Sequence, residues 1–95
     1  MYIILIYDIN IEEDNKKGQR ILNNSFKICK KYLNHVQKSV FEGEIDKAQL
    51  EKLHSELNRY IRKDLDSIIV FKSNNPRWLM KDFWGIKEDK TSNFF

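Results

Sequence analysis

Apolar positions come in short runs separated by longer polar stretches, and the spacing inside each run predicts the elements. The opening run, YIILIYDI (residues 2–9), is apolar or aromatic throughout except at Asp8. It is too short for a free-standing helix and rich in β-branched and aromatic residues, which predicts a strand apolar on both faces. NIEEDNKKG (residues 10–18) is polar with Asn and Gly, and predicts a loop. From Lys17 to Asn34 the period becomes helical. Leu22, Phe26, Cys29 and Leu33 make one apolar stripe, widened by Ile21, Ile28 and Tyr32. Arg20, Lys27 and Lys31 share another side of the same helix.

HVQKSVFEGEI (residues 35–45) returns to strand character. Its alternation breaks at Ser39–Val40–Phe41, and Gly43 signals a bulge or turn. The segment reads either as one bent strand or as two short ones. Asp46 to Lys63 predicts a second helix, with Asp46 as N-cap and Gln49 completing a capping box. Leu50, Leu53, Leu57 and Ile61 are its stripe. DSIIVFKS (residues 66–73) predicts a strand, NNP a turn around Pro76, and RWLMKDFWGI (residues 77–86) a further strand. The tail from Lys87 is polar until SNFF. Residues 1–86 therefore form one domain and residues 87–95 a C-terminal tail.

The order β-α-β(β)-α-β-β predicts an α+β sandwich of ferredoxin-like type, βαββαβ, with two helices on one face of a small sheet. Two helices cover only one face, yet the first strand is apolar on both. Ile3 and Leu5 point one way, and Tyr2, Ile4 and Ile6 the other. A second copy packed sheet against sheet across a two-fold axis solves this most simply, which predicts a homodimer.

Asp8 has the phase of Tyr2, Ile4 and Ile6, so two Asp8 carboxylates would converge at the rim of such a dimer. Close carboxylates repel unless a proton or a cation sits between them. Mg²⁺ suits the place, since it accepts one or two carboxylates and completes its shell with water and phosphate oxygens. The alternative for Asp8 is a strand-end carboxylate accepting from a loop N–H.

Charge sharpens the picture. The net charge is only +3, but residues 15–41 hold seven basic residues and no acidic one. The other residues hold ten basic and fourteen acidic, from chain totals of 17 and 14. A one-sided basic segment is a footprint for polyanions, against the plainer reading of a solvated helix face. Arg20, Lys27 and Lys31, with Lys16 and Lys17 on the loop beside them, suit phosphate contacts that give affinity without sequence reading. Composition is that of a folded domain, with 33% charged and 41% hydrophobic residues. The single cysteine, Cys29, excludes an internal disulfide framework and fits a reducing cytoplasm. No apolar run approaches the roughly 18 residues of a membrane span, and no signal peptide is expected before Tyr2. Cys29 reads as a small core residue, Tyr7 as core packing and His54 as surface. Trp78 and Trp84 share a strand phase and read as packing residues or as base-stacking ones. His35 reads either as a proton shuttle or phosphate contact, or as a partly buried strand-edge histidine.

YIILIYDI, HVQKSVFEGEI, DSIIVFKS and FWGI, in this order and spacing, resemble the small CRISPR-associated protein family numbered second (Cas-two) over residues 1 to about 86. The first strand ending in Tyr7–Asp8 and the Q-x-S-V-F-E-G segment carry the resemblance. It implies a prokaryotic, ferredoxin-like homodimer that partners the CRISPR integrase subunit (Cas-one) in capturing spacers from foreign DNA. It also implies, for some members, a metal-dependent phosphodiesterase acting on RNA or double-stranded DNA. By the same resemblance Asp8 is the Mg²⁺ ligand and catalytic residue, and Arg20 falls at a basic position of the first helix. His35, Ser39 and Phe41 neighbour the active site. His35 stands where many members carry arginine, and Gly18 where some carry another basic residue. The C-terminal strand of the family crosses to the partner subunit, and SNFF is its candidate here. Three functions follow: a DNA-binding adaptor bridging integrase subunits, a metal-dependent endonuclease using the Asp8 pair, and a toxin-like RNase of the same fold.

Overall fold

The computed structural model describes residues 1–74 and Trp84. Its elements are β1 (Tyr2–Asp8), α1 (Asn15–Tyr32), β2 (Asn34–Gln37), β3 (Val40–Glu44), α2 (Lys47–Asn58) and β4 (Ser67–Ser73). The strands form one sheet in the order β2-β3-β1-β4, with every neighbouring pair antiparallel. β3 lies between β1 and β2, and this split βαβ arrangement is the ferredoxin-like α+β fold predicted from the element order. The strand expected over residues 77–86 and the tail lie outside the described residues. Trp84 alone is described there, as a side chain 96% exposed outside regular structure.

Strand alternation sorts the side chains. Ile3, Leu5 and Tyr7 of β1 are buried under the helices, together with Phe41 of β3 and Ile9 beyond the strand end. Ile21, Ile28 and Cys29 come down from α1, and Leu53 and Leu57 from α2. The centre of the α1 stripe is rotated from the expected one. Gly18, Ile21, Ser25, Ile28 and Cys29 are buried, while Leu22 and Phe26 flank them, partly buried. Small residues at the centre let the helix axis approach the sheet, and the larger ones fill the sides. Burial pushes the Cys29 thiol up to about 12. It pushes the Tyr7 hydroxyl to about 12 as well, with Cys29 adding to the effect.

The helix boundaries differ from the periodicity for stated reasons. α1 begins two residues earlier than expected because Asp14 caps it, accepting from Lys17 N at 3.1 Å. Lys16 and Lys17 therefore lie in its first turn rather than on a loop. α2 carries the capping box, with Asp46 accepting from Gln49 N at 2.7 Å and Gln49 accepting from Asp46 N at 3.1 Å. It stops at Asn58 instead of reaching Lys63. The last turn tightens, with Tyr60 N and Ile61 N both donating to the Leu57 carbonyl at 3.0 Å. Arg62 N then donates to the Asp66 carboxylate at 2.9 Å, which ends the helical ladder.

The segment from residue 35 to 45 is two strands. They form a hairpin with an irregularity in register between His35 and Gln37, and Lys38 takes a left-handed φ of 40° at the turn. Gly43 marks neither bulge nor turn. It sits within β3 where a Cβ would come 3.3 Å from the Leu33 side chain, so its lack of one lets the end of α1 close onto the sheet.

One ion pair joins the α2–β4 turn to the β1–α1 connection. The Asp66 side chain is fully buried and accepts from Arg62 Nε and Nη2, each at 3.0 Å. It also accepts from Asn10 N at 2.8 Å, and Arg62 Nη2 donates to the Asn10 carbonyl at 2.6 Å. Burial alone would raise the Asp66 pKa. The hydrogen bonds from the Arg62 side chain, Arg62 N and Asn10 N outweigh it, so the carboxyl titrates below the usual range.

Two outcomes follow for stability. Leu53→Ala removes a fully buried side chain from α2 and should cost about 2–5 kcal/mol in urea unfolding. The Asp66 carboxyl binds its proton less readily folded than unfolded. Its contribution is complete above the unfolded value of about 4 and is lost as pH falls through the lower folded value. Thermal unfolding between about pH 5 and 2 should therefore fall more steeply for the wild type than for Asp66→Asn.

Candidate metal and nucleic-acid site

β1 has Ile3, Leu5 and Tyr7 fixed under the helices, so its other phase must face away from them. That open face carries Tyr2, Ile4 and Ile6, half-buried, and ends in the exposed Asp8. Across from them on β4 lie Ser73, Phe71, Ile69 and Ser67, in register with Tyr2, Ile4, Ile6 and Asp8. Phe71 and Ile69 are 51% and 53% exposed. On β3 the same face carries Val40, Glu42 and Glu44. An apolar strip of Ile4, Ile6, Val40, Ile69 and Phe71 thus has no described helix over it, and Asp8 stands at its end.

Among the described residues the Asp8 side chain takes part in no hydrogen bond or ion pair, so the alternative role as acceptor for a loop N–H is not observed. Nor do the described residues hold any group of three or more His, Cys, Asp or Glu side chains fit to bind a metal. What the described residues of one chain offer a cation at this strand end is a single exposed carboxylate with no partner among them. This donor set fits Mg²⁺, which is content with one or two carboxylates beside water and phosphate oxygens, and does not fit a metal needing an all-protein cage.

The three expected neighbours converge on the same strand end through backbone and packing. Ser39, at the tip of the β2–β3 hairpin, accepts from Tyr7 N at 3.2 Å. His35 is 3% exposed and bonds the Lys38 carbonyl through Nε2 at 2.8 Å. A carbonyl only accepts, so Nε2 carries the proton. Nδ1 is buried without a partner among the described residues. The imidazole is wedged between Phe26 and Phe41, with ring centroids 4.8 and 4.9 Å away. Phe41 is fully buried and also packs on Tyr7. His35 and Phe41 thus brace the hairpin that flanks Asp8 from the helix side of the sheet, and neither reaches the open face.

Lys16, Lys17, Arg20, Lys27, Lys30 and Lys31 are all exposed along α1, whose first turn contains no acidic residue. Two of them are already engaged: Lys30 lies over the Phe26 ring, 5.7 Å from its centroid, and Lys31 is held by α2. The Lys31 ammonium pairs with Glu56 of α2, which also accepts from the Tyr32 hydroxyl. These bonds hold the Glu56 carboxyl below its usual range and raise Lys31 and Tyr32. Lys16 and Lys17 sit beside the positive end of the helix dipole, which disfavours cations and is relieved by an anion. Sequence periodicity exposed the cationic face but missed Glu56. Helix-to-helix pairing of this kind depends on how α1 and α2 cross. The Arg62–Asp66–Asn10 group was also missed, although an Arg four residues before an Asp at a strand entrance is its trace in the sequence.

The element order and the carboxylate-tipped open face define a small ferredoxin-like protein with a basic helix edge. Residues 1–81 match the family described as CRISPR associated protein Cas2, and the chain belongs to that family. It is 50% identical over 94 residues to a protein of Fusobacterium nucleatum named CRISPR-associated endoribonuclease Cas2, covering 99% of this chain and 86% of the relative. A protein of the same name from Methanosarcina acetivorans is 37% identical, with 98% of each chain covered. Among solved structures, Streptococcus pyogenes Cas2 at pH 6.5 superposes with a TM-score of 0.73 at 27% identity, over 87% of this chain and 99% of that one. No described helix is long and apolar enough to cross a membrane.

Proposed function

We propose that this Cas2-family chain serves CRISPR adaptation as a homodimeric adaptor, which carries duplex DNA on its basic α1 edges and bridges integrase subunits (Cas-one) during spacer acquisition. The observation that carries this reading is the apolar strip of Ile4, Ile6, Val40, Ile69 and Phe71, uncovered among the described residues. Such a strip is costly in water and is relieved by a second copy, sheet to sheet. The two α1 helices then lie on the outer faces of the dimer. Their exposed cations meet phosphate backbones there, an interaction that holds a duplex without reading its sequence.

A second reading, metal-dependent cleavage of RNA or double-stranded DNA, is favoured by Asp8 being exposed and uncommitted at the rim of that strip. Relatives named endoribonuclease support it. Asp8 of each copy would hold Mg²⁺, which when bound polarises phosphate and activates water. The chain's own contribution is to present the carboxylate at the strand end and keep it free of competing donors.

The test begins with assembly. Sedimentation at micromolar concentration should give a dimer. Ile69→Glu and Phe71→Glu, each placing a charge on an exposed strip position, should give folded monomers. A monomeric wild type would refute the adaptor. The dimer should lose about three to five decades of duplex affinity between 50 and 200 mM salt if it meets roughly six to ten phosphates. Binding indifferent to salt would contradict the α1 surface. Affinity capture from the native cells should recover the integrase subunit.

Glu56→Gln gives a finer check on that surface. It releases Lys31 and removes an opposing charge, so the slope of log affinity against log salt should steepen by about one unit. An unchanged slope would place Lys31 outside the DNA path.

A further inference from the structure

The connection from β1 to α1 is held more firmly than its polar sequence suggests. Asn10 engages three polar groups here. Its N–H donates to Asp66 at 2.8 Å, and its carbonyl accepts from Arg62 at 2.6 Å. Its side-chain oxygen accepts from Glu12 N and Glu13 N, both at 3.0 Å. The carbonyl also lies where a Cβ on residue 18 would come within 2.5 Å, so Gly18 admits the connection against α1. Asp66 immediately precedes Ser67, the register partner of Asp8. On the other side of β1, Ser39 accepts from Tyr7 N. The backbone around Asp8 is therefore fixed before it, after it and across from it.

A buried ion pair is a poor way to gain stability, because desolvation offsets much of the attraction. It is a good way to fix geometry. The Arg62 guanidinium is a rigid fork. It binds Asp66 with two nitrogens and reaches Asn10 with one of them, tying two segments 52 residues apart along the chain.

We propose that Arg62 and Asp66 are positioning residues for Asp8: by clamping Asn10 they set the direction in which its carboxylate leaves the sheet rim. The proposal rests on the reading of Asp8 as a metal ligand. With one carboxylate at the strand end among the described residues, misdirecting it is poorly compensated, and Mg²⁺ tolerates little departure from octahedral geometry. Residues that orient a ligand then matter nearly as much as the ligand itself.

The test is titration of the full chain with Mn²⁺ as probe, with free metal read by electron paramagnetic resonance. Each variant is titrated at a temperature where circular dichroism finds it folded. Arg62→Lys keeps the charge and loses the fork, and should weaken Mn²⁺ binding about tenfold or more, as should Asp66→Asn. Leu53→Ala destabilises the fold from the far helix and should bind Mn²⁺ as the wild type does. That contrast separates positioning from general loosening. If Asp66→Asn does not fold, Arg62→Lys carries the comparison. Wild-type affinity in the clamp variants, with loss in Asp8→Asn, would overturn the positioning role and leave Asp8 as ligand. Wild-type affinity in Asp8→Asn would overturn both. An equal loss in Leu53→Ala would reduce the clamp to ordinary stability.

Discussion

Among the described residues two helices cover one face of four strands and leave the other bare, and that imbalance organises the molecule. It requires β1 to divide its side chains cleanly. Ile3, Leu5 and Tyr7 seal the core, and Tyr2, Ile4 and Ile6 face away from the described helices. A slip of one residue in β1 pairing would exchange the two sets and drive Asp8 toward Phe41 and the helices. Burying an unpaired carboxylate there is forbiddingly expensive, so the same pattern that fills the core also fixes Asp8 on the open face. Register is held by Leu5 opposite Phe41 on one side and Val70 on the other.

The strand end is then secured from three directions by different means. The β2–β3 hairpin reaches it through Ser39, and is itself braced by His35 beneath the turn. β4 meets it at Ser67. The ion pair of Arg62 and Asp66 holds the chain just beyond it. None of these groups is an acid, base or ligand offered to the open face. They are framework, bonded to the backbone or to one another. Asp8 is distinguished among them by having nothing within the described chain to bind.

Much of this was legible in the order of residues. The period-two run of β1, the capping box at Asp46 and Gln49, and the stripe through Leu53 and Leu57 are local signals, and each element formed where its signal lay. Asp8 was legible for the same reason, since its face follows from parity alone. The failures were non-local. The end of α2 depended on Asp66, eight residues beyond the last helical residue and bonded to Arg62, so helical periodicity running on to Lys63 misled. His35 was ambiguous until its neighbours Phe26 and Phe41 were placed around it, because nothing in its own segment distinguishes a catalytic imidazole from one packed between rings. Lys31 looked like its companions until the crossing of the two helices gave it Glu56.

Cys29 lies at the centre of the α1 contact with the sheet, without measurable exposure, and burial holds its thiol far from ionisation. Thiol reagents attack the thiolate, so the folded chain is inert to them at neutral pH. The unfolded chain, with an ordinary thiol, is not. The rate at which a small alkylating reagent marks Cys29 therefore counts openings of the helix–sheet seam. The chain thus carries its own chemical stopwatch, needing no engineered label, and the alkylated fraction recovered from a cell would record how often its core had come apart.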